Sequence, residues 1–173
     1  MADWPKILAD PEALPHQFFG QMPIILHGDV KLAQSVALSN YAADIGINTK
    51  SNPTAAQRGL DNMMLGAHSD LQAAMYKVLF GSDDSKAAGK EALPAAAAKT
   101  LKGIEGAYGE GPFLYRTDGP SLGDLAVFDA VTSPFPGLKA CGIDLEAYPK
   151  INKAVAAVAD DANVKAYCQK RGF

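Results

Sequence analysis

Phe19-Gly-Gln-Met-Pro-Ile-Ile-Leu-His-Gly-Asp-Val-Lys-Leu-Ala-Gln-Ser35 is the stretch on which the fold turns. Within it, Pro23-Ile-Ile-Leu-His27 is an apolar, β-branched run and reads as a strand. Gly28-Asp29 is a turn pair, and Val30 to Ala33 is short enough for a second strand returning beside the first. Gln34-Ser35 then precede Val36, Ala37, Tyr41 and Ile45, whose spacing predicts a capped helix ending at Gly46.

Working outward, residues 1–20 carry Pro5, Pro11, Pro15 and Gly20 and read as irregular. Asn48 to Pro53 is polar and Pro-terminated, as a linker is. Beyond Thr54 the period is helical throughout. Leu60, Met63, Met64, Ala67, Leu71, Ala74, Met75, Val78 and Leu79 form one stripe, predicting a helix of about 25 residues that stops at Gly81. Leu93, Ala97, Leu101, Ile104 and Tyr108 predict a second helix. Leu122 to Val131 is apolar nearly all round, as a helix at the centre of a bundle is. Ile151, Val155 and Val158 mark a fourth helix, and Val164, Tyr167 and Cys168 a short last one. The expected fold class is α+β: a small mixed α/β piece over 1–47, a linker over 48–53 and an all-α domain over 54–173.

Composition narrows the function classes. The 173 residues carry a formal charge of −3, with both signs mixed along the chain, so nothing favours nucleic acid as a partner. No apolar run approaches the roughly 18 residues of a membrane span. The start, MADWPKILADPEAL, lacks the basic and apolar regions of a signal peptide. Cys141 and Cys168 are the only cysteines, which makes no disulfide framework and no metal spacing. A reducing, cytoplasmic compartment is the expectation, with an organelle left open if a transit peptide has been removed. His16, His27 and His68 are scattered without ligand spacing, so no metal is expected.

Ser121-Leu-Gly-Asp124 opens the central apolar helix. A Ser at the N-cap and a carboxylate three residues on satisfy two orphan backbone donors reciprocally, which gives Ser121 and Asp124 a structural role. This pair resembles the N-capping motif in the helical domain of glutathione transferases. Ala147-Tyr-Pro-Lys-Ile and Asn163-Val-Lys-Ala-Tyr167 resemble the last helices of that family. At the front, Gln21-Met22-Pro23, a hairpin and Gln34-Ser35 resemble its glutathione-binding half-site, and Ala2-Asp3-Trp4-Pro5 resembles a stretch of the sigma and mu classes, with sigma the nearer. The fold so implied is a truncated thioredoxin-like piece followed by the all-helical glutathione-transferase C-terminal domain.

The resemblance implies glutathione as substrate or ligand. Met22, before a cis Pro23, would pair its N–H and C=O with the cysteinyl unit like an added strand. Ser35, at a helix N-terminus, would offer hydroxyl and backbone N–H groups to the γ-glutamyl carboxylate. Gln34 would add an amide near the same end, Gln21 belongs to the half-site just before Met22, and the Trp4 indole N–H would reach the glycyl end. Met75 and Tyr76 fall where the family's hydrophobic substrate site often lies, although Met63, Met64 and Met75 read as core. The family's aspartate that reaches a partner subunit's glutathione aligns with Gly66, with Asp61 and Asp70 as the nearest carboxylates.

The family reaction is conjugation of glutathione to an electrophile, or a glutathione-dependent isomerisation. Its thiolate is stabilised by a Tyr, Ser or Cys at the end of a first strand, and the match here begins after that strand. The glutathione thiol, with a pKa of about 8.5, is only slightly ionised at neutral pH without such a donor. The expectation is therefore weak catalysis and no catalytic residue among those matched. The alternative is a non-catalytic interaction or structural subunit that binds a partner at the exposed sheet edge, either a second copy of the chain or a different protein. A third cover for that edge is the loop from Ala9 to Phe19.

Overall fold

Two of the three prolines in the first twenty residues start helices rather than interrupt them. In the computed structural model, which describes residues 3–116, 118–134 and 137–172, Trp4–Ala9 forms helix α1 with Pro5 in its first turn. A 3₁₀ turn, Leu14–Gln17, has Pro15 in the same place. A first-turn residue has no intrahelical acceptor for its N–H, so the missing proline amide costs nothing there. The expectation of an irregular segment over 1–20 is corrected on this ground, and its Met1 and Ala2 lie outside the described residues.

The hairpin follows as the sequence indicates. Strands β1 (Ile24–His27) and β2 (Val30–Ala33) pair antiparallel, with Ile24 opposite Ala33 and His27 opposite Val30. Helix α2 (Ser35–Ile45) packs on β2 and buries Leu38 and Ala43. The stretch read as a linker contains one helical turn, α3 (Asn48–Ser51), stopped by Asn52 in the left-handed region at φ 40°. The side-chain amide of Asn48 donates to Asp44 Oδ1 at 3.0 Å, which ties α3 to the end of α2. The sheet has only these two strands among the described residues, and the Ala9–Phe19 loop forms no ladder with β1.

The chain divides into two compact units, residues 1–52 and 53–173. The second is helical: α4 (Ala55–Leu79), α5 (Asp83–Ala107), α6 (Leu122–Thr132), α7 (Pro149–Asp160) and α8 (Ala162–Arg171). Thr54 and Gln57 form a capping box at the start of α4, and Ser82 caps α5. Helix α4 packs against α5 and α6, α6 against α7, and α7 against α5 and α8. The centre of this unit is fully buried Leu71, Met75, Leu101, Leu138, Ile151 and Val158. Burying each such side chain contributes roughly 1.5–3 kcal/mol. Met64 and Met75 fill this core as expected, whereas Met63 is 49% exposed and does not. The last helix buries no side chain completely, and Cys168 on it is half-buried.

Helices α4 and α5 approach closely at Gly89. A Cβ there would sit 2.6 Å from the Lys77 carbonyl oxygen, so the crossing requires glycine. After α6 the chain turns back on that helix: Leu138 N donates to Ala130 O at 2.8 Å and Lys139 N to Val131 O at 3.3 Å. The carboxylate of Glu105 accepts from the amides of Lys150 and Ile151 at 2.9 and 3.0 Å and so caps α7 from α5. No helix among the described residues is long and apolar enough to cross a membrane.

Candidate functional site

The hairpin register assembles the front-end residues. Because Ile24 pairs with Ala33, the residues just before β1 lie beside those just after β2, which brings Met22 and Pro23 next to Gln34 and Ser35. Gln21, Met22, Pro23, Gln34 and Ser35 are all exposed. The Met22–Pro23 peptide is cis. Ser35 is the first residue of α2, and Gln34, its N-cap, has φ 75° and makes no side-chain cap hydrogen bond. The expectation of a capped start is corrected here: the Gln34 side chain makes no cap hydrogen bond to α2. A glutamine held at positive φ is strained, a feature that clusters at ligand sites.

Trp4 is half-buried at the start of α1, which packs on the 3₁₀ turn. No hydrogen bond among the described residues joins Trp4 to Met22, Gln34 or Ser35. Tyr41, the hydroxyl on α2, is engaged elsewhere. It meets Nδ1 of His27 at 2.7 Å, with the rings edge to face, at the turn end of the hairpin. That end is remote from Ser35 along both strands. Met75 is fully buried and lines no open surface, while Tyr76 is 42% exposed and stacks edge to face with Phe80.

The second constellation is the N-terminus of α6. Ser121 Oγ accepts from Asp124 N at 3.2 Å, and Asp124 Oδ2 accepts from Ser121 N at 2.8 Å, so the reciprocal cap is formed. The other oxygen, Oδ1, accepts from Leu114 N at 3.1 Å and fixes the loop before the helix. Burial pushes the Asp124 carboxyl up, against the amide and hydroxyl bonds from Ser121 and the Leu114 amide, which pull it down.

Asp61, on α4, is 2% exposed. Its Oδ1 accepts from Gly123 N at 2.8 Å and its Oδ2 from the Tyr115 hydroxyl at 2.7 Å. A side chain thus held is not free to reach toward another subunit. Gly66 and Asp70 are exposed. A Cβ on Gly123 would come within 2.6 Å of Leu114 Cδ1 and 3.1 Å of Asp61 Oδ1, so the link needs glycine. Burial and the Asp61 bond hold the Tyr115 hydroxyl well above its ordinary range. Burial, and then the charge of the Asp124 carboxylate beside it, does the same to Tyr108.

The histidines are engaged locally. His16 Nε2 meets Leu8 O at 3.0 Å, and His68 Nε2 on α4 meets Asp129 Oδ2 on α6 at 2.8 Å. No group of three metal-ligating side chains occurs among the described residues. The Asp61 link and the Thr54 box were not foreseen. The Thr54-x-x-Gln57 spacing is legible in sequence, whereas Asp61 carries no local signal.

Solved structures share this architecture. A glutathione S-transferase from Xylella fastidiosa superposes with a TM-score of 0.73 at 20% identity, over 96% of this chain and 82% of that one. BphK, a bacterial glutathione S-transferase in a ternary complex, gives 0.70 at 18%, over 96% and 84%. A glutathione transferase homologue from Sulfitobacter with bound glutathione gives 0.65 at 22%, over 99% and 84%. The fold is therefore that of the glutathione transferases, part of the thioredoxin-like piece followed by the helical domain. No curated protein matches the chain in sequence. The sequence model of the glutathione S-transferase C-terminal domain matches residues 69–171. The chain belongs to the glutathione S-transferase family.

Proposed function

We propose that this chain binds glutathione at the open end of its hairpin. The observation that carries this reading is the uncapped start of α2 beside a strained Gln34. The first-turn amides of a helix have no intrahelical acceptors, and the helix dipole adds partial positive charge. With no cap bond from the Gln34 side chain, these amides and the Ser35 hydroxyl suit the γ-glutamyl carboxylate. The Met22 backbone, leading into the unpaired edge of β1, takes the cysteinyl unit in strand fashion. Trp4 donates its indole N–H to the glycyl carboxylate, and Gln34 adds an amide at the γ-glutamyl end, with Gln21 beside Met22.

The glutathione-binding piece spans 1–47 and the helical domain 54–173, in a chain whose nearest class is sigma and whose compartment is cytoplasmic. The chemistry is the family's conjugation or isomerisation, and it is weak because none of these binding residues is a catalytic one. Titration calorimetry with glutathione tests the reading. Ser35→Ala and Trp4→Ala should each weaken binding about tenfold, since a hydrogen bond to a charged group is worth about 1.5–3 kcal/mol. Unchanged affinity in both variants would place any glutathione elsewhere.

The second reading, a subunit that docks a partner strand, is favoured by one observation. The outer edge of β1 is unpaired and Leu26 on it is 56% exposed. Along a strand, alternate amides point to opposite edges. Of Ile24 and Ile25, one amide therefore faces β2 and the other the open edge. Hydrogen exchange that is slow at only one of the two in a verified monomer, and at both in a larger assembly, supports edge docking. Slow exchange at both in the monomer rules it out.

A further inference from the structure

We infer, building on the glutathione reading above, that His16 is a positioning residue: it touches no ligand but fixes helix α1, and with it the Trp4 indole that meets the glycyl carboxylate. All the groups involved lie in the unit of residues 1–52.

Helix α1 needs an external hold. It has six residues, well under the roughly 12–15 at which an isolated helix is marginal in water. It buries no side chain completely, and Ile7 and Leu8 are each 39% exposed. The ion pair of Lys6 with Asp3, at 3.7 Å, lies in solvent at the start of the same helix and contributes little. A helix continuing past Ala9 would give the Glu12 amide to the Leu8 carbonyl, but Glu12 N goes to Asp10 Oδ1 at 3.0 Å. Leu8 O is thereby one of the carbonyls that a helix end leaves without a backbone donor. His16 Nε2 meets it at 3.0 Å. A carbonyl oxygen only accepts, so Nε2 carries the proton in this bond. Among the described residues, no other hydrogen bond joins α1 to an element after it.

The other end of the tie is anchored. Pro15, next to His16 in the 3₁₀ turn, is buried. Its carbonyl accepts from Phe18 N at 2.9 Å and from Gly20 N at 2.8 Å, and Phe18 O accepts from Gln21 N at 3.2 Å. That backbone runs directly into Met22, where the cysteinyl unit pairs. His16 thus stands at the junction of the Trp4 segment and the Met22 segment, and its bond holds the first against the second.

The test uses the full chain with glutathione and with γ-glutamylcysteine, which lacks the glycyl carboxylate. In calorimetry His16→Ala should weaken glutathione about threefold, the effect of one exposed hydrogen bond, and leave γ-glutamylcysteine unchanged. His16→Gln, which keeps a side-chain donor, should restore glutathione. His16→Ala/Trp4→Ala should bind no more weakly than Trp4→Ala, because His16 acts through Trp4. Trp4 is the only tryptophan, so acrylamide quenching of its fluorescence reads its hold with no ligand present. Quenching should rise about twofold in His16→Ala, as local opening exposes a side chain, and return in His16→Gln. Equal weakening of both ligands would overturn the inference, because that is a general loss of structure. So would additive losses in the double variant, or quenching that stays at the parent value. A parent that binds no glutathione defeats the glutathione reading instead, and quenching raised in His16→Ala and reversed in His16→Gln would still uphold the hold of His16 on Trp4.

Discussion

Removing the Asp124 carboxylate should cost far more than removing the Ser121 hydroxyl. The two form one cap, but they do unequal work. Ser121→Ala removes one acceptor, for Asp124 N at 3.2 Å, and a lost N-cap costs about 1 kcal/mol. Asp124→Ala removes acceptors for two amides at once, Ser121 N at 2.8 Å and Leu114 N at 3.1 Å. Ser121 and Asp124 are both at most 1% exposed, so water cannot replace what is lost. Each donor left unsatisfied costs about 1–3 kcal/mol, giving roughly 2–6 kcal/mol for the two, toward the lower end because Leu114 is only half-buried. The two losses should not add. Once Asp124 is gone, the Ser121 hydroxyl caps a loosened turn, so the double variant should fall short of the sum by about 0.5 kcal/mol or more. Urea unfolding followed by far-ultraviolet circular dichroism reads the helical unit. Fluorescence does not, because Trp4, the only tryptophan, lies in the other unit. Equal costs for the two single variants, combining additively, would refute the reasoning.

Gly123→Ala should destabilise the helical unit by about 1–3 kcal/mol, because its Cβ overpacks against Leu114 and Asp61; a thermal midpoint within a degree of the parent would contradict this. Raised folded-state values for Tyr108 and Tyr115 mean that the fold keeps protons which the unfolded chain releases near pH 10. Stability contributed by these two groups is therefore complete below pH 10 and declines as pH rises above it. Absorbance titration should show two of the six tyrosines ionising only as circular dichroism is lost, and six ionising together in the folded chain would exclude this. With no thiolate-stabilising donor among the residues matched, residues 1–173 by themselves should conjugate glutathione to an aromatic electrophile about 10²–10³-fold more slowly than ordinary family members, the usual effect of removing one oxyanion-type donor. Turnover within tenfold of theirs would require a hydroxyl other than Tyr41, which His27 already engages.

Short-range signals were the legible ones. The hairpin, the length of α4 and the Ser121–Asp124 cap rest on contacts within a few residues, and the sequence displays their period and punctuation directly. Once the hairpin is read, the meeting of Met22 and Pro23 with Gln34 and Ser35 follows from its register. The prolines were ambiguous because Pro5 and Pro15 are as much at home in a first helical turn as in a loop. Asn48 to Ser51 looked like a linker because one turn of helix has no room for an apolar stripe. Asp61 was opaque for a different reason. Its partners, Gly123 and Tyr115, are more than fifty positions away, and a carboxylate on a helix reads as solvated until its neighbours are known.

The account rests most heavily on glutathione occupying the end of the hairpin, and amide hydrogen exchange with and without glutathione tests this most directly. The predicted result is slowed exchange at Met22 and at Ser35, Val36 and Ala37 in the first turn of α2, with α6 unchanged. Exchange unaltered at these amides under saturating glutathione, or slowed only within the helical unit, would contradict it.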